Sequence, residues 1–235
     1  MIFRYNIPAL FPKELFEDLG YNVVVDGQKT FNGVAIASLL PFENVCYGLP
    51  GEEKDAQARY IEATFFRKKG PLRFASLYAP NGNPLGSEKF GYKLEWLKRL
   101  HTYAVGALTE EIPIVLAGDY NIIPEATDAK HPELWKSDAL FQPEPRMAWR
   151  KILNLGYTDA LRSCHPGPGC YTFWDYQAGA WQKNNGIRID HLLLSPQATD
   201  GLKSAAVDTH VRGCEKPSDH VPVRIDLEEI GRAHV

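Results

Sequence analysis

The sequence predicts a single domain of the α/β or α+β class. Strand-like apolar runs alternate with amphipathic helical stretches along the chain, and no clear linker divides them. No segment repeats at a fixed period. With 235 residues, of which 44% are hydrophobic, the chain can bury one sizeable core. We therefore expect one domain over residues 1–235.

The first third of the chain predicts a short helix followed by four strands. Pro12 near the start and Gly20 after the end frame a helix over residues 12–19. Apolar and β-branched runs that are separated by turn residues then predict the strands. These strands cover residues 21–25, 33–40, 58–66 and 72–78. The last two form the arms of a hairpin that turns at residues 69–71.

The middle of the chain predicts the longest helix and a strand with an unusual end. Apolar side chains recur at three- and four-residue steps over residues 87–108, which gives a helix with one apolar face. The stretch IPIVLAGDYNIIP, residues 112–124, then begins as a buried strand and ends in Asp119, Tyr120 and Asn121. A core strand that delivers an acid and an amide to its end indicates a candidate functional site.

The second half of the chain predicts one more helix and several short strands. A polar, proline-rich stretch over residues 123–145 precedes a helix over 146–155, which Gly156 ends. The short strands lie near residues 170–175, 187–194, 204–209 and 221–227.

Composition and charge narrow the class of protein. Charged residues make up 23% of the chain and the net charge is −3, so an anionic partner requires a local basic patch. No apolar run is long enough to span a membrane, and the first residues lack the pattern of a signal peptide. The four cysteines form no CxxC pair. We expect a bacterial-type cytoplasmic protein with reduced thiols and no membrane partner.

Polar residues follow or interrupt apolar strands at four places. These clusters are Tyr78 with Asn81, Asp119 with Asn121, Arg188 with Asp190, and Ser218 with Asp219 and His220. Each cluster has a plain structural alternative, because Asp, Asn and Ser are ordinary turn formers and Arg188 with Asp190 can form a buried pair. Loops at strand ends are also where rigid scaffolds place catalytic groups.

Taken together, the four clusters point to metal-assisted hydrolysis of a phosphoester. Three acids and the amide of Asn121 offer the oxygen ligands that a hard divalent cation prefers; the acids are Asp119, Asp190 and Asp219. A histidine beside them, His220, can donate to a phosphoryl oxygen, and an acid can orient the attacking water. The sequence contains neither a GxSxG elbow nor a P-loop, so serine-hydrolase and nucleoside-triphosphatase chemistry are unsupported.

Four stretches of the sequence resemble the exonuclease III family of DNA repair nucleases, within the endonuclease/exonuclease/phosphatase superfamily. They are LYAPNG at 77–82, GDYN at 118–121, RIDHLLLS at 188–195 and PSDHVPV at 217–223. The segment 171–190 is similar to the branch that acts on abasic DNA. The resemblance extends from Phe11 to about Leu227 and leaves residues 228–235 as a tail.

The resemblance implies a four-layer sandwich of two mixed β-sheets flanked by helices, with the active site at one rim. It also implies an enzyme that cuts double-stranded DNA on the 5′ side of abasic sites and degrades it from 3′ ends. The implied cofactor is Mg²⁺ or Mn²⁺, and the implied state is a monomer.

The resemblance further assigns roles to the strand-end residues. Asp119 would orient or deprotonate the attacking water, and Asn121 would contact the scissile phosphate. Tyr78 would donate to the phosphate and stabilise developing charge. His220 would hold a phosphoryl oxygen, with Asp190 fixing its ring. The implied metal ligands are Asp119, Asn121, Asp219 and His220.

Contacts with DNA are implied for four residues, namely Asn81, Trp174, Asn185 and Arg188. For Trp174 a place in the core is an equal alternative, because large aromatic side chains dominate cores. Basic residues offer further candidates for phosphate contacts, which are Arg67, Lys68, Lys69, Arg73, Lys93 and Arg99. For Lys93 and Arg99 the preferred interpretation is the solvated face of their helix.

Residues 1–10 depart from the family pattern. Family members begin with a strand that carries an asparagine, then a helix, then a second strand that ends in a metal-binding glutamate. The stretch MIFRYNIPAL contains no acid. We therefore expect the first strands, the first helix and this glutamate to be missing, and metal affinity to fall because a direct ligand is lost.

Two other functions remain open at this point. A chain without the glutamate could be a catalytically silent remnant that still binds DNA. Alternatively, the same chemistry could act on a different substrate, as in a phosphodiesterase or phosphatase for lipids or small molecules.

Overall fold

A computed structural model describes residues 11–29, 32–68 and 70–228 of the chain. The strands, in chain order, are β1 (Asn22–Gly27), β2 (Gly33–Ser38), β3 (Phe42–Tyr47), β4 (Tyr60–Arg67), β5 (Gly70–Tyr78), β6 (Ile114–Asp119), β7 (Thr158–Asp159), β8 (Asp190–Leu194), β9 (Leu202–Val207) and β10 (Val223–Leu227). The α-helices are α1 (Lys13–Asp18), α2 (Glu88–Thr109), α3 (Pro143–Leu153), α4 (Ala160–Cys164) and α5 (Pro196–Thr199). Short 3₁₀ helices lie at Ala126–Asp128, Pro132–Trp135 and Thr209–Gly213.

A six-stranded mixed sheet forms the centre of the fold. Its strand order is β3-β4-β5-β6-β8-β7. The pair β5–β6 is parallel and the other neighbouring pairs are antiparallel. Helix α2 makes the crossover between β5 and β6, as a parallel connection requires. The predicted α/β fold with a large mixed sheet flanked by helices is confirmed.

Helices cover one face of this sheet. The apolar side chains of α2 and α3 pack against residues of β5, β6 and β8 in the largest core cluster, which includes Trp96, Leu100, Leu116, Trp149 and Leu193. These side chains are almost completely buried, as expected for central strands that are covered on both faces. Close packing of these buried side chains restrains the strand ends.

Two antiparallel strand pairs cover the other face. The pair β1–β2 packs against β4 through a cluster that includes Val24, Ile36 and Ile61, while β9–β10 and α4 pack against β6 and β8. The described residues therefore build the second layer from two separate two-stranded sheets, where the resemblance predicted one mixed sheet. Residues 1–10 lie outside the described residues, and the prediction that the first strands, helix and glutamate are missing stays untested.

Most predicted elements match the structure within a few residues, but one predicted strand is absent, one helix begins earlier and several short elements were not predicted. No strand covers residues 170–175, where Phe173 forms only isolated bridges to Ile187 and His220. The helix predicted over 146–155 begins at Pro143, whose fixed φ angle suits a first helical position. The sequence patterns also missed β3, an edge strand with little buried surface. No helix in the described part of the chain is long and apolar enough to cross a membrane.

Candidate active site

Strand register brings the predicted site residues to one edge of the central sheet. Tyr78 at the end of β5 is the Cα partner of Asp119 at the end of β6. Asp119 is in turn the partner of Asp190. Because β8 runs antiparallel to β6, the first residue of β8 lies at the same edge as the last residue of β6. Three side chains that are far apart in sequence therefore meet at one rim.

Gly118 allows β5 and β6 to approach closely just before this rim. Its φ angle is 150°, and a Cβ added there would lie 1.9 Å from the carbonyl oxygen of Leu77. No side chain fits at that distance, so glycine is required by the parallel pairing itself. The close approach sets the position of Asp119, the next residue.

Asn121 is locked by hydrogen bonds in a left-handed backbone conformation, with φ at 49°. Its backbone N–H donates to Asp119 Oδ1 at 2.7 Å, and its amide nitrogen donates to Asp119 Oδ2 at 3.1 Å. The same amide nitrogen donates to the carbonyl oxygen of Ala79 at 2.9 Å. The amide of Asn81 donates to Asn121 Oδ1 at 3.1 Å. Asp119 at the end of β6 and Asn121 just after it thus form one fixed unit.

Lys93 of α2 forms hydrogen bonds to this unit, a contact that the sequence interpretation missed. Its side chain is 0% exposed, and Nζ donates to the carbonyl oxygens of Asn121 at 2.6 Å and Asn81 at 2.9 Å. Burial lowers the pKa of Lys93 to about 7, although nearby acids oppose the shift. The interpretation as a solvated helix residue was wrong. The spacing held the signal, because positions 93, 97, 100 and 104 share one helical face, and all four are buried.

His220 and Asp190 form a dyad at the mouth of the site. His220 Nδ1 lies 2.8 Å and 3.1 Å from the two carboxylate oxygens of Asp190. The ring of Phe173 packs edge-on at 5.0 Å from the imidazole. Burial favours the neutral ring, but the charge and hydrogen bond of Asp190 outweigh it and raise the pKa of His220 to about 9. The histidine is therefore a cation at neutral pH.

Asp119 lies deeper and is 3% exposed. Burial raises the pKa of its carboxyl, and the neighbouring charge of Asp190 raises it further, while His220, the Asn121 N–H and Lys93 lower it. A carboxylate with a raised pKa is a better proton acceptor than an ordinary aspartate. Asp219 is also buried beside this group, and its charge helps to raise the pKa of His220.

Tyr78 is held at the rim by Arg59. The guanidinium carbon of Arg59 lies 5.0 Å from the centre of the Tyr78 ring, within the range of a cation–π contact. Arg59 also donates to the Tyr78 carbonyl oxygen at 3.1 Å, and its own carbonyl accepts from the Tyr78 N–H at 2.8 Å. Both the ring and the backbone of Tyr78 are thereby fixed.

The described residues bring together part of the metal centre that was expected from the sequence. Within the described ranges, no group of three or more His, Cys, Asp and Glu side chains is placed to hold a metal ion. His220 Nδ1 faces Asp190, which leaves Nε2 as the ring nitrogen for a further partner, and Asn121 Oδ1 accepts from Asn81 but keeps a second lone pair. Carboxylate oxygens keep a second lone pair, so Asp119 and Asp190 offer part of a ligand set for a hard cation, but not a complete one.

The DNA contact that was predicted for Arg188 is wrong, because this side chain is buried. Its side chain is 1% exposed and its nitrogens donate at 2.7 Å to Asp128 Oδ1 and to Asp159 Oδ2. A second bond to Asp128 at 3.1 Å makes that pair bidentate. Arg188 therefore anchors the loop after β6 to the end of β7 and is not available to a phosphate. The alternative pairing with Asp190 is also absent, because Asp190 faces His220.

Trp174 occupies the core, which was the alternative to a DNA contact. It is 2% exposed, it packs edge-on against Trp181 at 5.1 Å, and its indole N–H donates to Asn184. Asn81 is exposed at the rim and Asn185 is half-buried, so their roles as DNA contacts stay predictions.

Three of the basic residues proposed for phosphate contacts lie away from the rim, and Lys69 falls outside the described residues. Arg73 is buried and pairs with Glu62 and Glu110, at the end of β5 that is remote from the rim. Arg67 ends β4 at that same remote edge. Arg99 pairs with Asp55 and is not on a solvated face.

Comparison with known proteins identifies the family to which this site belongs. Residues 4–220 match the model of the Endonuclease/Exonuclease/phosphatase family. The chain is 31% identical over 221 residues to exodeoxyribonuclease III of Haemophilus influenzae, which covers 91% of this chain and 83% of that protein.

Two solved structures extend the likeness to the fold. The chain is similar to the 3′ phosphatase NExo from Neisseria bound to product DNA hairpin, with a TM-score of 0.90, 36% identity, and coverage of 97% of this chain and 86% of that chain. It is also similar to an AP endonuclease from Archaeoglobus fulgidus, with a TM-score of 0.87, 38% identity, and coverage of 94% and 84%. The chain belongs to the endonuclease/exonuclease/phosphatase family, with exodeoxyribonuclease III and AP endonucleases among its relatives.

Proposed function

We propose that this chain is a DNA repair nuclease that hydrolyses phosphodiester bonds at the rim formed by β5, β6 and β8. The observation that carries the proposal is the His220–Asp190 dyad, which lies beside the buried carboxylate of Asp119. The arrangement combines a fixed cation with a fixed proton acceptor, as hydrolysis of a phosphate diester requires. The relatives named above act on DNA, which favours DNA over a lipid or a small molecule.

His220 holds a non-bridging oxygen of the scissile phosphate. Nδ1 donates to Asp190, so Nε2 is the ring nitrogen that remains for the substrate. The imidazolium is charged at neutral pH, because its pKa is raised to about 9. A fixed positive charge stabilises the negative charge that develops on the phosphoryl oxygens during attack.

Asp119 orients the attacking water and accepts its proton. Its raised pKa makes proton transfer more favourable than to an exposed aspartate. Asn121 keeps the carboxylate in one orientation through its two hydrogen bonds. The phenol of Tyr78 donates to the phosphate, and Arg59 holds the ring in place.

Divalent metal dependence is general for the family, and we propose Mg²⁺ or Mn²⁺ as the ion for this chain. Such an ion, when bound, supplies Lewis-acid stabilisation of the phosphate. The described residues offer only part of its ligands, so the steps above are assigned to protein side chains alone.

Abasic sites and 3′ ends of duplex DNA are the proposed substrates, and the chain is proposed to act as a monomer. The names of two relatives support these substrates, one an AP endonuclease and the other a 3′ phosphatase. A suitable test uses three 5′-labelled duplexes, which carry an abasic site, a recessed 3′ end or a 3′ phosphate. Each is incubated with the chain in Mg²⁺, in Mn²⁺ or in EDTA.

We expect metal-dependent cleavage that EDTA abolishes and that Asp119→Asn reduces by at least about 1,000-fold. Asp200→Asn removes an exposed carboxylate on the turn after α5 and serves as the matched control. Cleavage that persists in Asp119→Asn would contradict the assigned role.

A second candidate function is DNA binding without hydrolysis. It is favoured by one observation, the incomplete metal ligand set in the described residues. It predicts salt-sensitive binding of the abasic duplex with no product, even in millimolar Mn²⁺. The same gel assay therefore separates the two functions.

A further inference from the structure

We propose that Lys93 is a positioning residue for hydrolysis, because its buried ammonium fixes the conformation of Asn121 and, through it, the carboxylate of Asp119. The inference rests on the proposed nuclease function. It adds a residue of α2 to the side chains that position the reacting groups at the rim.

The contacts of Lys93 join two segments of the site that follow different strands. Asn81 follows β5 and Asn121 follows β6, and Nζ donates to the carbonyl oxygen of each, at 2.9 Å and 2.6 Å. A lysine ammonium carries three donors on one atom, so a single side chain can bond both carbonyls at once. The two asparagines also bond each other through their side chains, at 3.1 Å. Lys93 closes this group into a single unit.

The surrounding chain is shaped around the lysine stem. A Cβ added at Gly82 would lie 2.7 Å from Cδ of Lys93, and the φ angle of Gly82 is 89°. Any larger residue at position 82 would displace the stem or strain the turn. The turn after β5 and the lysine are therefore fitted to each other.

The choice of a charged residue here is costly and calls for a reason. Lys93 is 0% exposed, yet the hydrogen bonds of its Nζ go to two neutral carbonyl oxygens. Burial of an ammonium without a directly bonded carboxylate opposes folding, whereas an apolar side chain on this face of α2 would simply extend the core. A gain in the geometry of the site accounts for keeping a lysine at this position.

Asn121 connects Lys93 to the carboxylate of Asp119. Its left-handed backbone, with φ at 49°, is an uncommon conformation that needs outside support. In this conformation its N–H and its amide nitrogen both donate to Asp119, at 2.7 Å and 3.1 Å. If the carbonyl of Asn121 is released, the residue can relax and the carboxylate can turn. A displacement of about 1 Å in a reacting group can cost about 100-fold in rate.

The test compares Lys93→Met with Arg73→Met, Asn121→Ala and the double variant Lys93→Met/Asn121→Ala. Arg73→Met is the control for loss of a buried cation, because Arg73 is 8% exposed and lies at the other end of β5. Single-turnover cleavage, DNA affinity and unfolding by urea are measured for each variant. The ¹⁵N resonances of the Asn121 side-chain amide are recorded without DNA.

We expect Lys93→Met to reduce the cleavage rate by about 100-fold with DNA affinity changed by less than about 3-fold, whereas Arg73→Met loses stability but keeps its rate. In the Asn121→Ala background the same change should cost less than in the wild type, because only the backbone N–H of residue 121 then still bonds Asp119. The Asn121 amide resonances should shift in Lys93→Met but not in Arg73→Met.

Wild-type-like cleavage by Lys93→Met, or fully multiplicative effects in the double variant, would overturn the inference. If Lys93→Met does not fold, Lys93→Gln, which keeps a neutral donor, replaces it with the same expected direction. If the wild-type chain cleaves no DNA, the proposed function fails. The amide resonances then decide the inference independently, and an unshifted Asn121 amide in Lys93→Met rejects it.

Discussion

Nδ1 of His220 lies 2.8 Å from a carboxylate oxygen of Asp190, although the two residues are 30 positions apart in the sequence. Asp190 is the first residue of β8, and His220 lies in the segment before β10. Their side chains are 13% and 23% exposed, so water screens the pair only in part. The pair joins the central sheet to the second layer and sets the charge of the histidine.

Replacement of Asp190 should neutralise His220 near physiological pH. In Asp190→Asn the largest stabilising charge is lost while burial and the charges of Asp119 and Asp219 remain, so we expect the pKa of His220 to fall from about 9 toward the ordinary value of about 6.5. Titration of the His220 ring by NMR measures this shift directly. DNA cleavage at pH 7.5 should fall by about 100-fold or more, since the cation is lost. An unchanged titration curve would show that Asp190 does not set the charge.

The same pair makes stability depend on pH in a defined window. The folded-state pKa of His220 is raised above its unfolded value, so its contribution is complete below about pH 6.5 and is lost as pH rises through about 9. We expect the wild-type chain to lose about 2 kcal/mol of unfolding free energy between pH 7 and pH 10 through this group. Asp190→Asn should lack that loss. Urea unfolding of both proteins across this range provides the measurement.

Ionisation of Asp119 should lower the stability of the folded protein, although the proposed function needs the ionised carboxylate. Burial raises the pKa of its carboxyl, so the ionised form is penalised in the folded state. For an acid with a raised folded pKa, this penalty is absent below about pH 4 and grows as pH rises above it. We therefore expect Asp119→Asn to be more stable than the wild type at pH 8, with no difference near pH 4. Urea unfolding at the two pH values, beside the cleavage assay, tests this prediction; equal stability at pH 8 would contradict it.

Gly118 should tolerate no side chain. In Gly118→Ala the new Cβ would meet the Leu77 carbonyl oxygen, 1.9 Å away, so β5 and β6 must separate. We expect a loss of more than about 3 kcal/mol in unfolding free energy, or no folded protein. Gly106→Ala is the matched control, because Gly106 lies on the exposed side of α2 with nothing within 4 Å of its added Cβ. The control should gain about 0.5–1 kcal/mol from helix propensity. Urea unfolding of the two variants side by side distinguishes these outcomes.

The rim of the site could be predicted from the sequence because its residues occupy strand ends. A buried apolar run identifies β6 and places Asp119 at its end, and antiparallel pairing then brings Asp190 to the same edge. The partners of Arg188 could not be found in this way. Asp128 lies 60 positions away and Asp159 lies 29 positions away, and nothing local in the sequence links them. Such contacts depend on tertiary packing, which single-sequence patterns do not encode.

Lys93 shows a different limit of sequence interpretation. Its spacing from Leu97 and Leu100 predicts the buried face of α2, but its residue type predicts the surface. Lysine is almost never fully buried unless it has partners, so spacing and residue type conflicted at this position. Conflicts of this kind are expected at functional sites, where local rules are broken for a gain elsewhere.

Trp174 provides the last prediction, because its two interpretations differ in what they predict for stability. A side chain that is 2% exposed and packed between Trp181 and Val221 belongs to the core, and Trp174→Ala should cost about 3–5 kcal/mol in unfolding free energy. Tyr176, in the same loop, is 59% exposed, and Tyr176→Ala should cost less than about 1 kcal/mol. Urea unfolding and DNA affinity are measured for both variants.

The comparison of these two variants decides which aromatic residue of the loop faces DNA. We expect Trp174→Ala to lose affinity only in proportion to its unfolded fraction, whereas Tyr176→Ala weakens DNA binding while remaining folded. Trp174→Phe keeps most of the buried area and should retain near wild-type affinity. A Trp174→Ala protein as stable as the wild type but with weakened DNA binding would support a direct DNA contact of Trp174. Loss of core packing could not then explain the weaker binding.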